Sequence, residues 1–351
     1  MDKKHLHNEG FVPKYLLEKL AKKGNEEAKK TLLQMEKIEE KKTNAIKNEN
    51  VEASPTLTPV QAQRGIYDSE NTLDFMRKLI RKEGAPPVSD ENVNFAYDFS
   101  GQTLNYLKSK LDRNSLDNQG MNLIFNVHYD KNYNNAFWHP ELKQLTFGDG
   151  DGKLFTNFTR SIDVVAHEMA HAVTQFTNDL VYRRQSGALN EHFSDAIGSA
   201  VKQHVKGQKA ATADWLIGDE IVGPTFPGKA LRSMKEPGTA HQLDEQPAHF
   251  NDYKELPLEN DNGGVHLYSG IPNKAFYLVS LEIETDRAAF LWYTAWQNKQ
   301  IIHPNATFLD AFKAILQTAK TLTSQGKLPQ KTVNVVENAF HEVGIRTPAT
   351  V

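Results

Sequence analysis

The 351-residue chain carries 41 Lys and Arg against 44 Asp and Glu, a formal net charge of −3, with 39% hydrophobic and 24% charged residues. That is the balance of an ordinary globular protein with room for two lobes, and it offers no overall cationic field to recruit nucleic acid or an anionic membrane. The absence of cysteine excludes disulfides, thiolate metal ligands and cysteine nucleophiles, so any metal site must be built from His, Asp and Glu.

The opening MDKKHLHNEGFVPKYLLEKL interrupts its apolar residues with Lys, Glu and Asn, so no signal-peptide core forms. No run in the chain approaches the roughly 20 apolar residues of a membrane helix. Across 12–42, the apolar positions Val12, Tyr15, Leu16, Leu20, Leu32 and Leu33 stand among many Lys and Glu and predict a short helix or two with a weak apolar stripe. TNAIKNENVEASPTLTPVQ (43–61) has the composition of an exposed linker. Two readings of this region stand side by side: a basic tail, or a removable prosegment that docks on the body.

From Arg64 to about Gly152 the texture is strand-like, with MNLIFNVHY (121–129) and QLTFGDGDGKLF (144–155) as candidate strands and 70–82 and 99–111 as helices between them. GDGDGK lacks the further oxygen ligands and terminal Glu of a calcium-binding loop and is read as a tight turn. From Ile162 onward helical spacing dominates, at 162–177, 187–206, 270–283, 286–299, 306–322 and 331–344, with no repeat period. The expected fold is α+β, a mixed β-rich lobe followed by a mainly helical one. The division is 1–50 as the N-terminal segment, 51–63 as linker, 64–180 as the first lobe and 181–351 as the second.

Near that junction stands VVAHEMAHAV (164–173). On an α-helix, positions i and i+4 lie about 40° apart and about 6 Å along the axis, so His167 and His171 can present two imidazole nitrogens to one ion. Glu168, about 100° round from His167, suits a general base over the ion's open position. An isolated H-E-x-x-H also arises by chance, so the test is a third ligand. Helical SGALNEHFSDAIGSAV (186–201) supplies Glu191 and Asp195 at i and i+4, one to ligate zinc and the other to fix the tautomer of a ligand imidazole. Thr174 and Thr177 occupy the positions where a metzincin needs Gly and a third His. The gap of 19 residues (172–190) before Glu191 is one longer than the related aminopeptidase pattern. A helix pair bearing His, His and Glu remains.

The sequence here closely resembles the thermolysin family of zinc endopeptidases. The likeness runs through NNAFW (134–138), FGDGDG (147–152), IDVVAHEMAHAVTQFT (162–177), SGALNEHFSD (186–195), LRSM (231–234), DNGGVHLYSGIPNKAFYL (261–278) and VVENAFHEVGI (335–345). The short N-terminal segment resembles the prosegment of the protealysin-like branch, where VPKYLL (12–17) is similar to a Pro-Pro-aromatic-aliphatic element, with Lys14 in place of the second proline.

The resemblance implies a role for each of the following residues. His167, His171 and Glu191 are expected as zinc ligands and Glu168 as the base for a zinc-activated water. Tyr182 and His266 are expected to donate to the oxyanion, an arrangement that supplies a large share of rate enhancement in acyl transfer. Asp261 is expected to orient His266, and Asp195 and Asn190 to support the ligand histidines. Asn135, Ala136, Trp138 and Arg232 are expected to align substrate. Phe155, Phe158, Val164, Ile217 and Leu231 are expected to form an apolar pocket for the residue after the scissile bond. Asp163, Asp214 and Asp219 match a calcium cluster in which Lys202 replaces a shared Glu, leaving room for one Ca2+ at most.

The expected function is a zinc-dependent neutral endopeptidase made as a zymogen, cutting peptides or proteins before large apolar residues. Its prosegment would act as an intramolecular inhibitor, removed by self-cleavage at a bond such as Asn50-Val51 or Thr56-Leu57. A monomer with no nucleic-acid or membrane partner is expected, exported by a non-classical route or retained in the cytoplasm. The rival readings are a catalytically silent binding protein on the same fold, and an exopeptidase.

Overall fold

A computed structural model describes residues 10–48 and 62–346; the bonds proposed for self-cleavage lie outside these residues. Two helices come first, α1 (Lys14–Lys22) and α2 (Glu26–Asn48). The second runs beyond residue 42 into sequence read as linker, because TNAIKN contains neither Gly nor Pro to stop it.

A five-stranded sheet follows, built from β1 (Arg64–Asp68), β2 (Lys78–Lys82), β3 (Leu123–Val127), β4 (Ala136–His139) and β5 (Gln144–Phe147), in the order β2-β1-β3-β5-β4. The central pairs β1/β3 and β3/β5 are parallel; β2 and β4 are antiparallel edges. The helix expected over 70–82 is instead a turn followed by β2. Glu70, Asn71 and Met76 have φ of +51°, +57° and +52°, values no right-handed helix tolerates, and the Met76 N–H is held by Asn126 Oδ1 at 2.7 Å. Helix α3 (Glu91–Leu111) starts eight residues earlier than expected, where Asp90 caps it by accepting from the Asn92 N–H at 2.9 Å.

Helix α4 (Ile162–Thr177) runs through the middle of the molecule, with 14 of its 16 residues buried. Helix α5 (Arg184–Val205) lies against it. A short ribbon of β6 (Leu216–Ile217) and β7 (Arg232–Ser233) then leads into a helical lobe of α6 (Asp261–Tyr268), α7 (Gly270–Ile283), α8 (Thr285–Trp296), α9 (Phe308–Ser324) and α10 (Thr332–Glu342). Among the described residues no helix is long and apolar enough to cross a membrane.

The N-terminal helices share the core of the body. Leu16, Leu17 and Leu20 of α1 join the cluster that contains Val164, Phe155 and Leu231, while Ile38 of α2 packs on Tyr129, Tyr133 and Phe137. The stripe that looked too weak to stabilise a domain is completed by the surface it covers. Gln34 Nε2 adds hydrogen bonds to Asp130 Oδ2 at 3.0 Å and the Lys131 carbonyl at 2.8 Å.

The cap of α3 is also an electrostatic junction. His128 faces Asp149 with Nδ1 at 2.8 Å and Asp90 with Nε2 at 2.7 Å; carboxylates only accept, so both ring nitrogens donate and the ring is an imidazolium. Asp149 above all raises its pKa to about 9, with Asp90 adding to the shift against burial. A folded-state pKa above the ordinary value near 6.5 stabilises the fold fully below about pH 6.5, and the gain disappears as pH rises through 9. Melting temperature from pH 6 to 10 should therefore fall more in the wild type than in His128→Asn, the two curves converging at the alkaline end; parallel curves would refute the linkage.

Candidate active site

Helices α4 and α5 run antiparallel, and their facing stripes follow helical periodicity. Asp163, His167 and His171 succeed one another at i+4; opposite them stand Gly198, Asp195 and Glu191 with Asn190. Close approach depends on Gly198, where a Cβ would lie 2.8 Å from the Asp163 carbonyl oxygen. Across this seam His167 Nδ1 meets Asp195 Oδ1 at 2.9 Å and His171 Nδ1 meets Asn190 Oδ1 at 2.8 Å. These oxygens only accept, so each Nδ1 carries a proton, and in the neutral form of such a ring the lone pair lies on Nε2.

Those two Nε2 atoms are 3.1 Å apart, and Glu191 closes the group with Oε2 3.4 Å from His167 Nε2 and Oε1 3.3 Å from His171 Nε2. Two imidazole lone pairs and a carboxylate thus converge in a space shielded from water, and Oε2 of Glu191 has no hydrogen-bond partner. Such donors repel one another unless a cation lies among them, and two imidazoles with one carboxylate are a ligand set that suits zinc. The residues present fit the ion.

Glu168 is fully buried beside this cluster. Its Oε2 accepts from the Trp138 N–H of β4 at 2.8 Å, while Oε1 has no partner. Burial, before any other cause, raises its pKa to about 8, and a cation nearby would draw it back to the carboxylate. On the far side Tyr182 Oη donates to Glu191 Oε1 and lies 3.2 Å from His266 Nε2. His266 is presented by a run of left-handed backbone, with φ of +54°, +49°, +83° and +88° from Asp261 to Gly264. Asp261 holds that run by accepting from the His266 N–H at 2.8 Å and from its Nδ1 at 2.6 Å. Burial opposes protonation of His266, yet the charges of Glu191 and Asp261 lift its pKa to about 9.

Asp195 joins several parts of the site. Besides His167, it accepts from Arg232 Nε at 2.8 Å and Nη2 at 2.9 Å, and from Asn273 Nδ2 at 2.9 Å. Burial works to raise its pKa, but Arg232 first and His167 next hold it well below the ordinary carboxylate range. Asn273 was not anticipated, although it lies within the quoted run DNGGVHLYSGIPNKAFYL; nothing in its spacing marks it, since it reaches Asp195 from α7 across the fold.

The cleft beside these groups holds residues 10–12. Pro13 restricts Val12 to extended backbone, which suits pairing with the edge strand β4. The Phe11 N–H donates to the Ala136 carbonyl at 2.9 Å, and Arg232 Nη1 donates to the Phe11 carbonyl at 3.2 Å. Asn135 brackets Val12, accepting from its N–H at 2.8 Å and donating to its carbonyl at 3.1 Å. The Phe11 ring meets His167 edge-on with centroids 4.9 Å apart, and a Cβ on Gly218 would touch both this ring and Leu231. Phe155, Phe158, Val164, Ile217 and Leu231 are all buried in the same cluster as Phe11. The Trp138 ring donates from Nε1 to Gln175 Oε1 at 2.7 Å. Sequence reasoning likened VPKYLL to a prosegment element and expected residues 1–50 to block the cleft, but did not single out Phe11, whose one signal was an aromatic residue just ahead of that element.

At the other end of the α4/α5 seam the acids Asp163, Asp214 and Asp219 surround Lys202. Its Nζ bonds Asp219 Oδ1 at 2.5 Å and lies 3.6 Å from both Asp163 Oδ2 and Asp214 Oδ1. Burial alone would lower the lysine pKa; Asp163, Asp219 and Asp214 together raise it above its ordinary value.

Sequence comparison agrees with this geometry. Residues 21–175 match the family described as thermolysin metallopeptidase, catalytic domain, and residues 178–345 match its alpha-helical domain. The chain is similar to protease PrtS of Photorhabdus sp. (strain Az29), 39% identical over 96% of this chain and 92% of the relative. An extracellular metalloprotease of Pectobacterium carotovorum subsp. carotovorum is 38% identical over 95% of each chain. Among solved structures, the precursor of protealysin, a metalloproteinase from Serratia proteamaculans, superposes with a TM-score of 0.81 at 37% identity, covering 96% of this chain and 99% of that one. The chain belongs to the thermolysin family of metallopeptidases and is a zinc-dependent endopeptidase made as a precursor.

Proposed function

We propose that peptide-bond hydrolysis in this protein divides among the residues as follows. His167, His171 and Glu191 hold the zinc, which when bound supplies Lewis acidity to the scissile carbonyl and to water. Glu168 takes the water proton on Oε1 and returns it to the departing amine. Tyr182 and His266 donate to the oxygen of the tetrahedral centre, with Asp261 fixing the His266 ring. Asp195 and Asn190 hold the ligand imidazoles in the tautomers that free Nε2. Asn135, Ala136 and Arg232 align the substrate backbone, and Trp138 contributes through its N–H, which steadies Glu168. The pocket of Phe155, Phe158, Val164, Ile217 and Leu231 takes Leu, Phe, Ile or Val after the scissile bond, a burial worth roughly 1.5–3 kcal/mol.

One observation carries this reading: residues 10–12 bind along β4 beside a two-histidine, one-carboxylate cluster whose buried base has an oxygen free. The chain continues on both sides of the cleft residues, since nine residues precede Gly10 and α1 follows Pro13. That favours an endopeptidase over an exopeptidase. The joint retention of Glu168, Tyr182 and His266 speaks against a silent binding protein. Residues 1–50 act as the inhibitory prosegment, 51–63 as the region cut on activation, and 64–180 and 181–351 as the two lobes. The extracellular relative supports action outside the cell; export by a non-classical route and a monomeric state complete the reading.

For calcium, the geometry favours Lys202 as the resident positive charge among Asp163, Asp214 and Asp219, in place of an ion.

Two measurements test these assignments. With zinc-loaded mature protein and an end-blocked apolar peptide, Glu168→Ala should lower kcat by about 10²–10⁴-fold and His266→Ala by about 10²–10³-fold; a Glu168→Ala protein as fast as wild type overturns the mechanism. In chelator-treated protein, added calcium should leave the melting temperature of the wild type unchanged. Lys202→Gln, which leaves three carboxylates uncompensated, should melt lower, reflecting a loss of ~3–5 kcal/mol, and recover in part with calcium.

A further inference from the structure

The segment in the cleft has a direction and a register. The Gly10 carbonyl lies 3.1 Å from His266 Nε2, and the Phe11 side chain that follows it enters the apolar pocket beside Leu231 and Gly218. The Phe11 N–H is held by Ala136, its carbonyl by Arg232, and Val12 by Asn135. The carbonyl before the Gly10-Phe11 bond therefore sits at the oxyanion donor, and the side chain after the bond sits in the selecting pocket. This is the arrangement of a substrate.

We propose that the Gly10-Phe11 bond is a substrate of the protein's own active site, hydrolysed in cis before the activation region is cut. The inference rests on the hydrolytic reading of the site given above. Water adds through its oxygen to the Gly10 carbonyl carbon while Glu168 takes a proton. The bond between the Gly10 carbon and the Phe11 nitrogen then breaks, the proton passes to that nitrogen, and the products are a carboxylate on Gly10 and an amine on Phe11. Water is the only co-reactant.

Three features support this. The bond is already docked, so the reaction gains the large effective concentration of an intramolecular step, which the activation region does not share while residues 10–12 fill the cleft. Glycine at position 10 is required by the approach itself: its φ is +94°, and a Cβ would lie 2.6 Å from the Ala136 carbonyl oxygen and 2.8 Å from Asn135 Oδ1. Cleavage also leaves the inhibitory body in place, because Leu16, Leu17 and Leu20 stay in the core and Gln34 stays bonded to Asp130 and Lys131. The segment is a substrate first and a plug afterwards.

The test uses the full-length precursor purified with chelator and then given zinc at protein concentrations spanning about 100-fold. Intact mass and N-terminal sequencing should reveal a species beginning at Phe11, formed at a rate independent of concentration, ahead of cleavage in 51–63, and absent from Glu168→Ala. In the metal-free Glu168→Ala background, adding Phe11→Ala should lower the melting temperature; no change means that Phe11 is not seated in the pocket and overturns the proposal. If the preparation cuts an end-blocked apolar peptide while the released prosegment keeps its Gly10-Phe11 bond, the proposal fails and the endopeptidase reading stands. If neither peptide nor prosegment is cut, both fail.

Discussion

The close contact of α4 with α5 at Gly198 and Asp163 governs the geometry of the site. Any side chain at Gly198 would drive the helices apart. With the helices in contact, the antiparallel register brings Asp195 to His167, and Asn190 and Glu191 to His171, within hydrogen-bonding or ligand distance. The same stripe ends with Lys202 beside Asp163. One helix seam thus carries an ammonium at one end and a place for a dication at the other, each compensated by acids on the facing helix.

A second constraint is the shared carboxylate. Asp195 accepts from a ligand histidine and from the arginine that reaches the backbone of the chain in the cleft. Buried ion pairs contribute little net stability unless their geometry is good and their remaining polar atoms are satisfied. Here the four hydrogen bonds to Asp195 meet that condition, and they make the position of a metal ligand depend on the same group that positions Arg232. One side chain thus ties a histidine of the metal-binding cluster to the arginine that holds the Phe11 carbonyl.

Much of this was legible in the sequence because it follows helical arithmetic. His167 and His171, and Glu191 and Asp195, lie on single helix faces whatever the tertiary context, whereas His266 was marked only by the family resemblance of the run DNGGVHLYSG. The errors came where tertiary contacts overrode local pattern. Residues 70–82 have apolar positions that mimic a helix, but left-handed turns at Glu70, Asn71 and Met76 and pairing with β1 make an edge strand of its end. Likewise β1 and β4 are too short and too dependent on β3 and β5 to be recognised alone. Phe11 was hard to see for a different reason: its place depends on a pocket assembled from residues far away in sequence, such as Phe155, Gly218 and Leu231.

The edge strand β4 has one further implication. On its outer side the Ala136 carbonyl accepts from the Phe11 N–H, the Trp138 N–H donates to Glu168, and the Asn135 and Arg232 side chains hold the main chain of Phe11 and Val12. When those residues leave, what remains is a template that reads main chain rather than side chains, apart from one pocket. A guest must bring about three consecutive residues whose amides and carbonyls are not already committed to their own sheet or helix. Compact proteins offer few such stretches, whereas loops, termini and loosened folds offer many. Conformational disorder in the target, more than its sequence, then sets what the cleft can take.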